Sequence, residues 1–543
     1  MKFPRAHHLP VNELAGQLLM PALHLSYMNK NSASAQRVVK MLREFQLTGF
    51  VLLGGHPADV RFWTEYLQKE SKYPLLFAAN FEKGLGNVFT PGTLFPHNLC
   101  FGAAGNKRLV IDFAEVVAKE ARSVGMNVVF APVLDLAEDP HNPIVNVRCW
   151  HRDPGVVSEY GQLFIDTIQK YGIACVAKHF PGHGSTATDS HVDLPVLKKR
   201  LDQIEKEDLV PFRRAYEVGV KGIMTGHVKM RGFARPATME SSLLRNVLRD
   251  QWRYDGVVFT DAMDMGAITN NFKPREQVFY PVEAGADVLL MPEDLSLAFR
   301  LLQKKIQSNE SFKLKVEKAV ERILRLKRWL HRQEPAQAHP YRIYKVVEHP
   351  DHINLADKVA EAGITLLHQT KRFPLDLSKI RSAYHIMFTD TDFTEQPLRR
   401  LCEELAQFFD STEIMNNPGT KEIRALRIAR NSVTIISLRF RTLAKNEQKL
   451  DWKNVNQTFR YLRKSRNPLI IFLFGNPYQI NNLTQDHGSD AIFLTYSEVE
   501  AAQQAAFKAL TGSIKIKGKL PVDLDEPFNK SILLRTTKRS KKR

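Results

Sequence analysis

The sequence predicts an α/β fold in which a (β/α)8 barrel is followed by a smaller α/β sandwich domain. Three observations indicate this fold. Short apolar runs alternate with helix-like segments, eight of these runs precede about residue 330, and a proline-containing stretch then separates them from a second series. A chain of 543 residues, 43% of them hydrophobic, is also more than one hydrophobic core usually organises, which predicts two or three domains.

The runs of the first part are continuous rather than alternating in hydrophobicity. Continuous runs are typical of parallel strands that are buried on both faces and joined by helical crossovers, and eight such strands close a barrel. A doubly wound sheet produces the same pattern and is the second choice. The runs are LAGQLLMPAL (from Leu14), GFVLLGG (from Gly49), PLLFAAN (from Pro74), NVVFAPVLDL (from Asn127), IACVAKHF (from Ile173), GVKGIMTGHV (from Gly219), DGVVFTDAM (from Asp255) and GADVLLMP (from Gly285).

A linker and a second domain are expected after the barrel. The stretch LHRQEPAQAHPYRIYKVVEHPDH, which starts at Leu330, has three prolines and no hydrophobic period. The runs GITLLHQ, SAYHIMFTD, SVTIISLRF, PLIIFLFGNPY and DAIFLTYS then alternate with helical segments such as QPLRRLCEELAQFF. The expected boundaries are 1–332 for the barrel, 333–355 for the linker, 356–528 for the sandwich domain and 529–543 for a basic tail.

Composition argues against several classes of protein. The four cysteines are widely spaced and include no CxxC pair, which argues against a disulfide framework and against a cysteine-based zinc site. The N-terminal segment lacks the small-residue cleavage pattern of a secretory signal, and no run approaches the roughly 18 to 20 apolar residues of a membrane helix. We therefore expect a soluble, cytoplasmic protein with no transmembrane segment.

The formal net charge of +19 is spread along the chain except at its end. The last nine residues, from Arg535 to Arg543, include six basic residues and no acidic one. A solubilising disordered tail is the preferred interpretation, and contact of the tail with nucleic acid, acidic lipid or an anionic cell-wall polymer is the alternative. No nucleic-acid partner is required by this pattern.

Polar side chains follow the predicted barrel strands. In a (β/α)8 barrel the chemistry lies at the carboxyl ends of the strands, so we expect these side chains to meet at one end of the barrel. They are Asn80, Glu82, Asp135, Lys178, His179, His227 and Asp261.

The stretch KHFPGHGSTATDSHVDLP, residues 178–195, has two chemical interpretations. A metal site would use His179, His183, Asp189 and His191, but their spacing matches no compact ligand motif. In Asp189-Ser190-His191 the first and third residues point the same way if the segment is extended, so the carboxylate can orient the imidazole and raise its basicity for proton transfer. Such a triplet is also common as plain structure, so the proton-transfer interpretation requires a partner.

The segment YDGVVFTDAMDMGAI supplies a partner carboxylate. Asp261 follows an apolar run and is expected to project from the barrel mouth. Asp264 is its local competitor, but it is expected in the following loop or helix start, where it could act as an N-terminal cap. Asp261 is therefore the preferred carboxylate.

These segments resemble the glycoside hydrolase family 3 β-N-acetylglucosaminidases, or β-N-acetylhexosaminidases, of bacterial cell-wall recycling. KHFPGHGSTATDSHVDLP is similar to the family signature, and PATMESSLLRNVLRDQWRYDGVVFTDAMDMGAI is similar to its nucleophile segment. With APVLDLAEDPHNPIVNVRCWHRDP and AGADVLLMP, the likeness covers most of residues 14–330, and the second domain is similar to that of two-domain members. The resemblance implies a retaining exo-β-N-acetylglucosaminidase that releases terminal GlcNAc from peptidoglycan-type or related glycosides without a metal or other cofactor.

The resemblance also implies a role for each candidate site residue. Asp261 would be the nucleophile, His191 the general acid/base and Asp189 its orienting partner. A retaining hydrolysis needs such a carboxylate to trap the anomeric carbon and a second group to protonate the departing oxygen and deprotonate water. Histidine is neutral after it gives up its proton and would not repel phosphate, so phosphorolysis is an alternative. The residues expected to hold the sugar are Lys178, His179, Arg148 and Asn80.

The chain departs from the family pattern at one motif. Where members usually read DxEGGxVxR, this chain reads NFEKGLGNV, with Asn80 in place of the aspartate and Val88 in place of the arginine. A hydrogen bond to a charged group contributes about 1.5 to 3 kcal/mol and a neutral one about 0.5 to 1.5 kcal/mol, so Asn80 would keep a weaker contact and Val88 no polar contact. Three explanations are open: Lys83 or Asn87 takes over, the sugar is different, or activity is reduced.

Functions from other classes also remain open. A metal-dependent hydrolase would lose activity with chelators. A binding protein built on an inactive barrel would bind anionic polymer with a steep salt dependence and turn over no glycoside.

Overall fold

The protein is described by a computed structural model that covers residues 3–28, 33–197, 199–333, 343–390, 397–440, 450–526 and 528. The chain divides into two compact units. The first comprises Met1–Leu94, Val110–Val145 and Asp153–Ile353, and the second comprises Phe95–Leu109, Asn146–Arg152 and Asn354–Arg543. The basic tail expected at 529–543 and residues 334–342 of the expected linker lie outside the described residues.

The first unit contains a parallel sheet that closes into a barrel. The strand order is β1-β11-β10-β8-β6-β5-β4-β3-β2, and every pairing is parallel. The strands β7 and β9 form a separate two-stranded sheet. The strands are β1 (Leu19–Met20), β2 (Ala22–His24), β3 (Gly49–Leu53), β4 (Leu76–Ala79), β5 (Val128–Val129), β6 (Ala174–Phe180), β7 (Val196–Leu197), β8 (Gly222–Thr225), β9 (Lys229–Met230), β10 (Val257–Ala262) and β11 (Val288–Leu290).

The first barrel strand is split in two at Pro21. β1 pairs with β11 on one side and β2 pairs with β3 on the other, so the two halves together close the sheet. Proline has no backbone N–H to give to a ladder, which accounts for the interruption at this position. The nine strands of this sheet therefore occupy eight positions. Each overlaps one of the eight predicted runs, and β2 extends one residue past its run, to His24. The predicted (β/α)8 barrel is confirmed.

Helices follow most barrel strands, as parallel pairing requires. Several begin at recognisable signals. Asp153 caps the helix that begins at Pro154 by accepting the N–H groups of Gly155 and Val156, and Asn309 caps the helix that begins at Glu310 through Phe312 N–H. The segment Ser242–Gln251 is a π-helix. The α-helices up to Gly363 are α1 (Val11–Gln17), α2 (Ala33–Phe45), α3 (Pro57–Glu70), α4 (Asn98–Ala104), α5 (Lys107–Ser123), α6 (Pro154–Lys170), α7 (Leu201–Lys206), α8 (Leu209–Glu217), α9 (Gly266–Thr269), α10 (Pro274–Ala284), α11 (Leu295–Ser308), α12 (Glu310–Arg332), α13 (Ile343–Val346) and α14 (Pro350–Gly363).

The second unit contains a six-stranded mixed sheet. The strand order is β12-β17-β16-β15-β13-β14, in which β12 is antiparallel to β17 and the other pairings are parallel. Its core includes Ile435, Phe472 and Phe493, all fully buried. The predicted α/β sandwich is confirmed. Its elements are β12 (Thr365–Gln369), β13 (Ser382–Thr389), α15 (Arg399–Phe408), β14 (Ser411–Asn416), α16 (Thr420–Ala425), β15 (Ser432–Arg439), α17 (Trp452–Leu462), β16 (Leu469–Phe474), β17 (Ala491–Leu494) and α18 (Glu500–Thr511).

Within the described ranges, the helices are all too short or too polar to span a bilayer. A cytoplasmic location stays a prediction.

Candidate active site

Polar side chains collect at the carboxyl ends of the barrel strands, as the sequence predicts. Asn80 and Glu82 follow β4, and His227 follows β8. Lys178 and His179 are among the last three residues of β6, and Asp261 is the second-last residue of β10. Asp135 follows β5 and contacts His179. All of them are buried except Asn80 and Asp261, which are half-buried. This end of the barrel is the candidate active site.

Asp261 is held by the backbone next to it. The N–H of Ala262 donates to Asp261 Oδ1 at 2.8 Å. Burial works to raise the pKa of the Asp261 carboxyl, but the attraction of His179, the Ala262 N–H and Lys178 outweighs burial and holds this pKa below its ordinary value. The carboxyl is therefore ionised at neutral pH.

His227 fixes the strand end that carries Asp261. Its Nε2 lies 2.9 Å from the carbonyl oxygen of Ala262, and its Nδ1 lies 2.8 Å from Thr238 Oγ1. Burial lowers the pKa of His227, so the neutral ring donates through Nε2 to that carbonyl. The sequence predicts that His227 lies at a strand end but not its role, because the contacts with Thr238 and Ala262 are tertiary.

Lys178 is a buried cation that is shared by two acceptors. Its Nζ lies 2.6 Å from Glu82 Oε1 and 2.9 Å from Asn80 Oδ1. Asn87 Nδ2 donates to the backbone oxygen of Asn80 at 2.7 Å, so the side chain of Asn87 supports this turn. Asn80 thus accepts a hydrogen bond from Lys178 through its amide oxygen. Contact of either residue with a sugar stays a prediction.

Asp135 organises the start of the loop that follows β6. Its Oδ2 lies 2.7 Å from His179 Nδ1, and its Oδ1 accepts the N–H of His183 at 2.7 Å. Burial works to raise the pKa of Asp135, but the interaction with His179 outweighs it and the pKa is lowered. His179 is therefore oriented with Nδ1 toward a carboxylate and Nε2 available for another partner.

His183 holds the loop rather than a metal ion. Burial lowers its pKa to about 4, so the ring is neutral at pH 7. Its Nδ1 lies 2.9 Å from Thr186 Oγ1 and its Nε2 lies 3.2 Å from Ser190 Oγ, which engages both ring nitrogens. The four residues of the metal interpretation do not converge as ligands. Within the described part of the chain, the group of acids that does converge is Glu138, Glu207 and Asp208, and these surround Lys199.

Asp189 and His191 form the predicted hydrogen-bonded pair, but they do so in a turn and not in the extended segment that the prediction assumed. The N–H groups of Val192 and Asp193 both donate to the carbonyl oxygen of Asp189 at 3.0 Å. Asp189 Oδ1 accepts the backbone N–H of His191 at 2.8 Å and lies 2.9 Å from its Nδ1. The His191 side chain is 35% exposed and that of Asp189 16%. Because the carboxylate fixes the proton on Nδ1, Nε2 is the ring nitrogen that can exchange a proton with a bound molecule.

The loop that carries this pair is docked on the segment directly after Asp261. The carbonyl oxygen of His191 accepts the N–H of Gly266 at 3.1 Å, and Asn270 Nδ2 donates to the carbonyl oxygen of Val192 at 3.0 Å. His227 interacts electrostatically with both Asp261 and His191. The predicted trio of Asp189, His191 and Asp261 therefore lies at one end of the barrel.

Arg148 belongs to a different part of the fold. It ends a 3-10 helix, Asn146–Arg148, in a segment that groups with the second unit, and its backbone oxygen accepts Asn98 Nδ2 at 2.8 Å. A sugar contact of Arg148 stays a prediction.

Comparison with known proteins places this barrel in a family. Residues 11–326 match the family described as "Glycosyl hydrolase family 3 N terminal domain". Among curated proteins, the chain is 30% identical over 345 residues to the "Beta-N-acetylglucosaminidase/beta-glucosidase" of Cellulomonas fimi, with 61% of this chain and 60% of the relative covered. It is also 30% identical over 333 residues to the "Beta-hexosaminidase A" of Pseudoalteromonas piscicida, with 57% of this chain and 56% of the relative covered.

Both matches thus span less than two thirds of these relatives' own length. Among solved structures, the chain is similar to a glycoside hydrolase family 3 beta-N-acetylglucosaminidase from Paenibacillus sp. str. FPU-7. The TM-score is 0.81 at 26% identity, over 95% of this chain and 99% of that one. Because the family match covers more than half of the sequence and includes every barrel strand, the chain belongs to glycosyl hydrolase family 3.

Proposed function

We propose that the protein is a retaining glycosidase that releases terminal N-acetylglucosamine from β-glycosides. One observation carries the proposal: the loop with Asp189 and His191 is docked on the segment that directly follows Asp261. This docking brings an oriented imidazole with one exchangeable nitrogen to the same end of the barrel as a carboxylate that stays ionised, and a double-displacement reaction requires these two groups.

The first step forms a glycosyl-enzyme. Asp261 attacks the anomeric carbon, and the bond from this carbon to the leaving oxygen breaks as Nε2–H of His191 protonates that oxygen. Asp189 accepts Nδ1–H of His191 and holds the ring in place during the transfer.

The second step releases the sugar. Neutral His191 takes a proton from water through Nε2 as the water oxygen attacks the anomeric carbon, and Asp261 leaves as a carboxylate. Configuration at the anomeric carbon is retained because it is displaced twice.

The sugar is the finer part of the proposal. Support for N-acetylglucosamine comes from the names of the relatives and from the resemblance of the two motifs, and Lys178, His179, Arg148 and Asn80 are the proposed sugar contacts. A cell-wall glycan as natural substrate rests on the resemblance alone, and a cytoplasmic location stays a prediction.

Transfer to phosphate is the second candidate. After the first step His191 is neutral, so it does not repel an incoming phosphate as an anionic carboxylate would. Phosphate would then replace water in the second step and leave a sugar 1-phosphate. Rapid turnover that requires inorganic phosphate would identify this reaction, whereas turnover in its absence identifies hydrolysis.

The test compares a chromogenic β-N-acetylglucosaminide with the matching β-glucoside. We expect turnover of the acetamido sugar by the wild type and a loss of about a thousandfold or more in Asp261→Ala, since removing a nucleophile removes the covalent route. Asp264→Ala is the control, because Asp264 is exposed and lies three residues further along. Equal rates for wild type and Asp261→Ala, or no turnover of either sugar, would overturn the proposal.

A further inference from the structure

Lys199 is surrounded by three carboxylates outside the proposed reaction centre. Its Nζ lies 2.6 Å from Glu138 Oε2, 2.8 Å from Glu207 Oε2 and 2.8 Å from Asp208 Oδ2. The Lys199 side chain is 18% exposed and that of Asp208 is 2% exposed. These four residues, Lys199, Glu138, Glu207 and Asp208, are called the Lys199 cluster below.

The Lys199 cluster joins the two ends of the loop that carries Asp189 and His191. At the start of this loop, Gly182 has φ +130° and lies against Asp208, where an added Cβ would be 2.9 Å from Asp208 Cβ and Oδ1. At the end of the loop, Lys199 binds that same aspartate. Asp208 is therefore a common anchor for both ends.

The segment after β5 is held to the loop in the same region. Asp139 N–H donates to the carbonyl oxygen of Gly184 at 3.3 Å, and an added Cβ on Gly184 would lie 2.0 Å from the carbonyl oxygen of Leu136. Glu138, between Leu136 and Asp139, reaches Lys199. The ammonium thus links two neighbouring segments that both pack against the loop.

Lys199 offsets part of the negative charge of the cluster. Burial raises the pKa of the Asp208 carboxyl to about 7, repulsion by Glu138 adds to this, and Lys199 opposes it. Burial would lower the pKa of Lys199, but Asp208, Glu138 and Glu207 outweigh burial and raise it, so the ammonium stays charged. Without the ammonium, three carboxyls would face one another with no cation between them.

We propose that Lys199 is a positioning residue for the reaction, because it ties Glu138 to Asp208 beneath Gly182 and thereby holds the loop with Asp189 and His191 in its docked position. This inference rests on the proposed function of that loop.

The pH dependence of kcat in the Lys199→Met variant distinguishes positioning by the Lys199 charge from a general structural effect. Removing the ammonium raises the Asp208 pKa further, so at alkaline pH the ionised carboxyls repel and the loop undocks. As pH falls, protons replace the missing cation and the loop docks again. The ratio of variant to wild-type kcat should therefore rise as pH falls, with a loss of about 10- to 100-fold at about pH 8 and a smaller loss at about pH 6.

The experiment measures kcat and KM at both pH values for the wild type, Lys199→Met, Lys199→Arg and Lys206→Met. Lys199→Arg keeps the positive charge and should recover most of the lost rate. Lys206 is exposed on the neighbouring helix α7, so Lys206→Met should match the wild type. A ratio for Lys199→Met that does not change with pH would overturn the proposal.

Amide hydrogen exchange of peptides from residues 182–197 tests, independently of enzyme activity, whether the Lys199 cluster holds the loop in its docked position. This holding of the loop is called the clamp below. Faster exchange in this segment is expected for Lys199→Met and not for Lys206→Met. Unchanged exchange would overturn the clamp even if the enzyme is active. If the wild type turns over no glycoside but exchange still increases in Lys199→Met, the proposed function fails and the clamp stands.

Discussion

Asp261 and Asp264 lie three residues apart but differ in their surroundings. Asp261 ends a buried strand and its carboxyl receives the Ala262 N–H and the field of His179, whereas Asp264 is exposed. The sequence predicts this difference because an apolar run stops at Asp261. The lowered pKa of Asp261 could not be predicted, since it depends on His179 and Lys178, which come from another strand.

The pairing of Asp189 with His191 gives a prediction at this scale. Asp189→Asn would replace an obligatory acceptor with an amide that can donate to Nδ1, which favours the wrong tautomer of His191. We expect kcat to fall about 10²- to 10⁴-fold, the range that general acid–base catalysis contributes, with little change in KM.

Asp193→Asn is the control for this measurement. Asp193 is an exposed residue of the same loop, and its Oδ1, which accepts the N–H of Leu194, is retained in the variant. Steady-state kinetics of the two variants check the prediction, which is wrong if both retain the wild-type kcat.

The structural roles of His183 and Asp135 could not be predicted from the sequence. The sequence makes His183 and Asp135 candidates for a site. In the fold they support the loop, because His183 contacts Ser190 and Asp135 accepts the backbone N–H of His183. Residue type and spacing predict that both residues lie at the carboxyl ends of the barrel strands. Residue type and spacing do not distinguish a structural role from a catalytic one, because that distinction depends on which ring nitrogens already have hydrogen-bond partners.

Among the elements, the buried parallel strands were predictable, whereas the edge strand β14 was not. The eight barrel runs are apolar because each strand is covered on both faces, and β6 is buried along its whole length. β14 has alternating half-buried and exposed residues, including exposed Ser411 and Glu413, so it presents no apolar run. β7 and β9, with two residues each, are too short for any pattern.

The short helix α9 gives a prediction at the scale of elements. An added Cβ on Gly266 would lie 2.6 Å from the carbonyl oxygens of both His191 and Val192. These are backbone atoms, so Gly266→Ala must displace the loop. We expect kcat to fall by about tenfold or more, because misplacement of a catalytic group by about 1 Å costs on the order of 10²-fold.

Gly419→Ala is a suitable control for Gly266→Ala. Its added Cβ would meet Glu422 Oε2 at 3.5 Å, an ordinary contact, and kcat should be unchanged. Kinetics and thermal unfolding of both variants check the prediction. An unchanged kcat in Gly266→Ala would show that the loop tolerates displacement.

For the whole molecule, the division into units depends on tertiary contacts. The short segments Phe95–Leu109 and Asn146–Arg152 group with the second unit. Lys519 N–H donates to the carbonyl oxygen of Ala103 at 2.9 Å, Arg152 N–H donates to that of Pro521 at 3.2 Å, and Cys100 lies against Gly363. Sequence patterning does not reveal such pairings, because the partners are hundreds of residues apart.

A fragment of residues 1–333 should therefore be less stable than the full chain. The truncation removes the partners of Cys100, Ala103 and Arg152 and exposes surface that is buried in the second unit. We expect a lower Tm and a greater tendency to aggregate, measured by circular dichroism and light scattering. A fragment that melts at the same temperature as the full chain would contradict this expectation.

The most direct test of the account is the intact mass of His191→Ala after incubation with an activated aryl β-N-acetylglucosaminide. A good leaving group does not need an acid, so the first step proceeds, whereas the second step is slow without its base and the glycosyl-enzyme accumulates. The account predicts an adduct of one sugar residue on the peptide that contains Asp261, and none in a variant that also carries Asp261→Ala. An adduct on another residue, or release of the aryl group without any adduct in repeated trials, would contradict the assignment of Asp261 as nucleophile and His191 as acid/base.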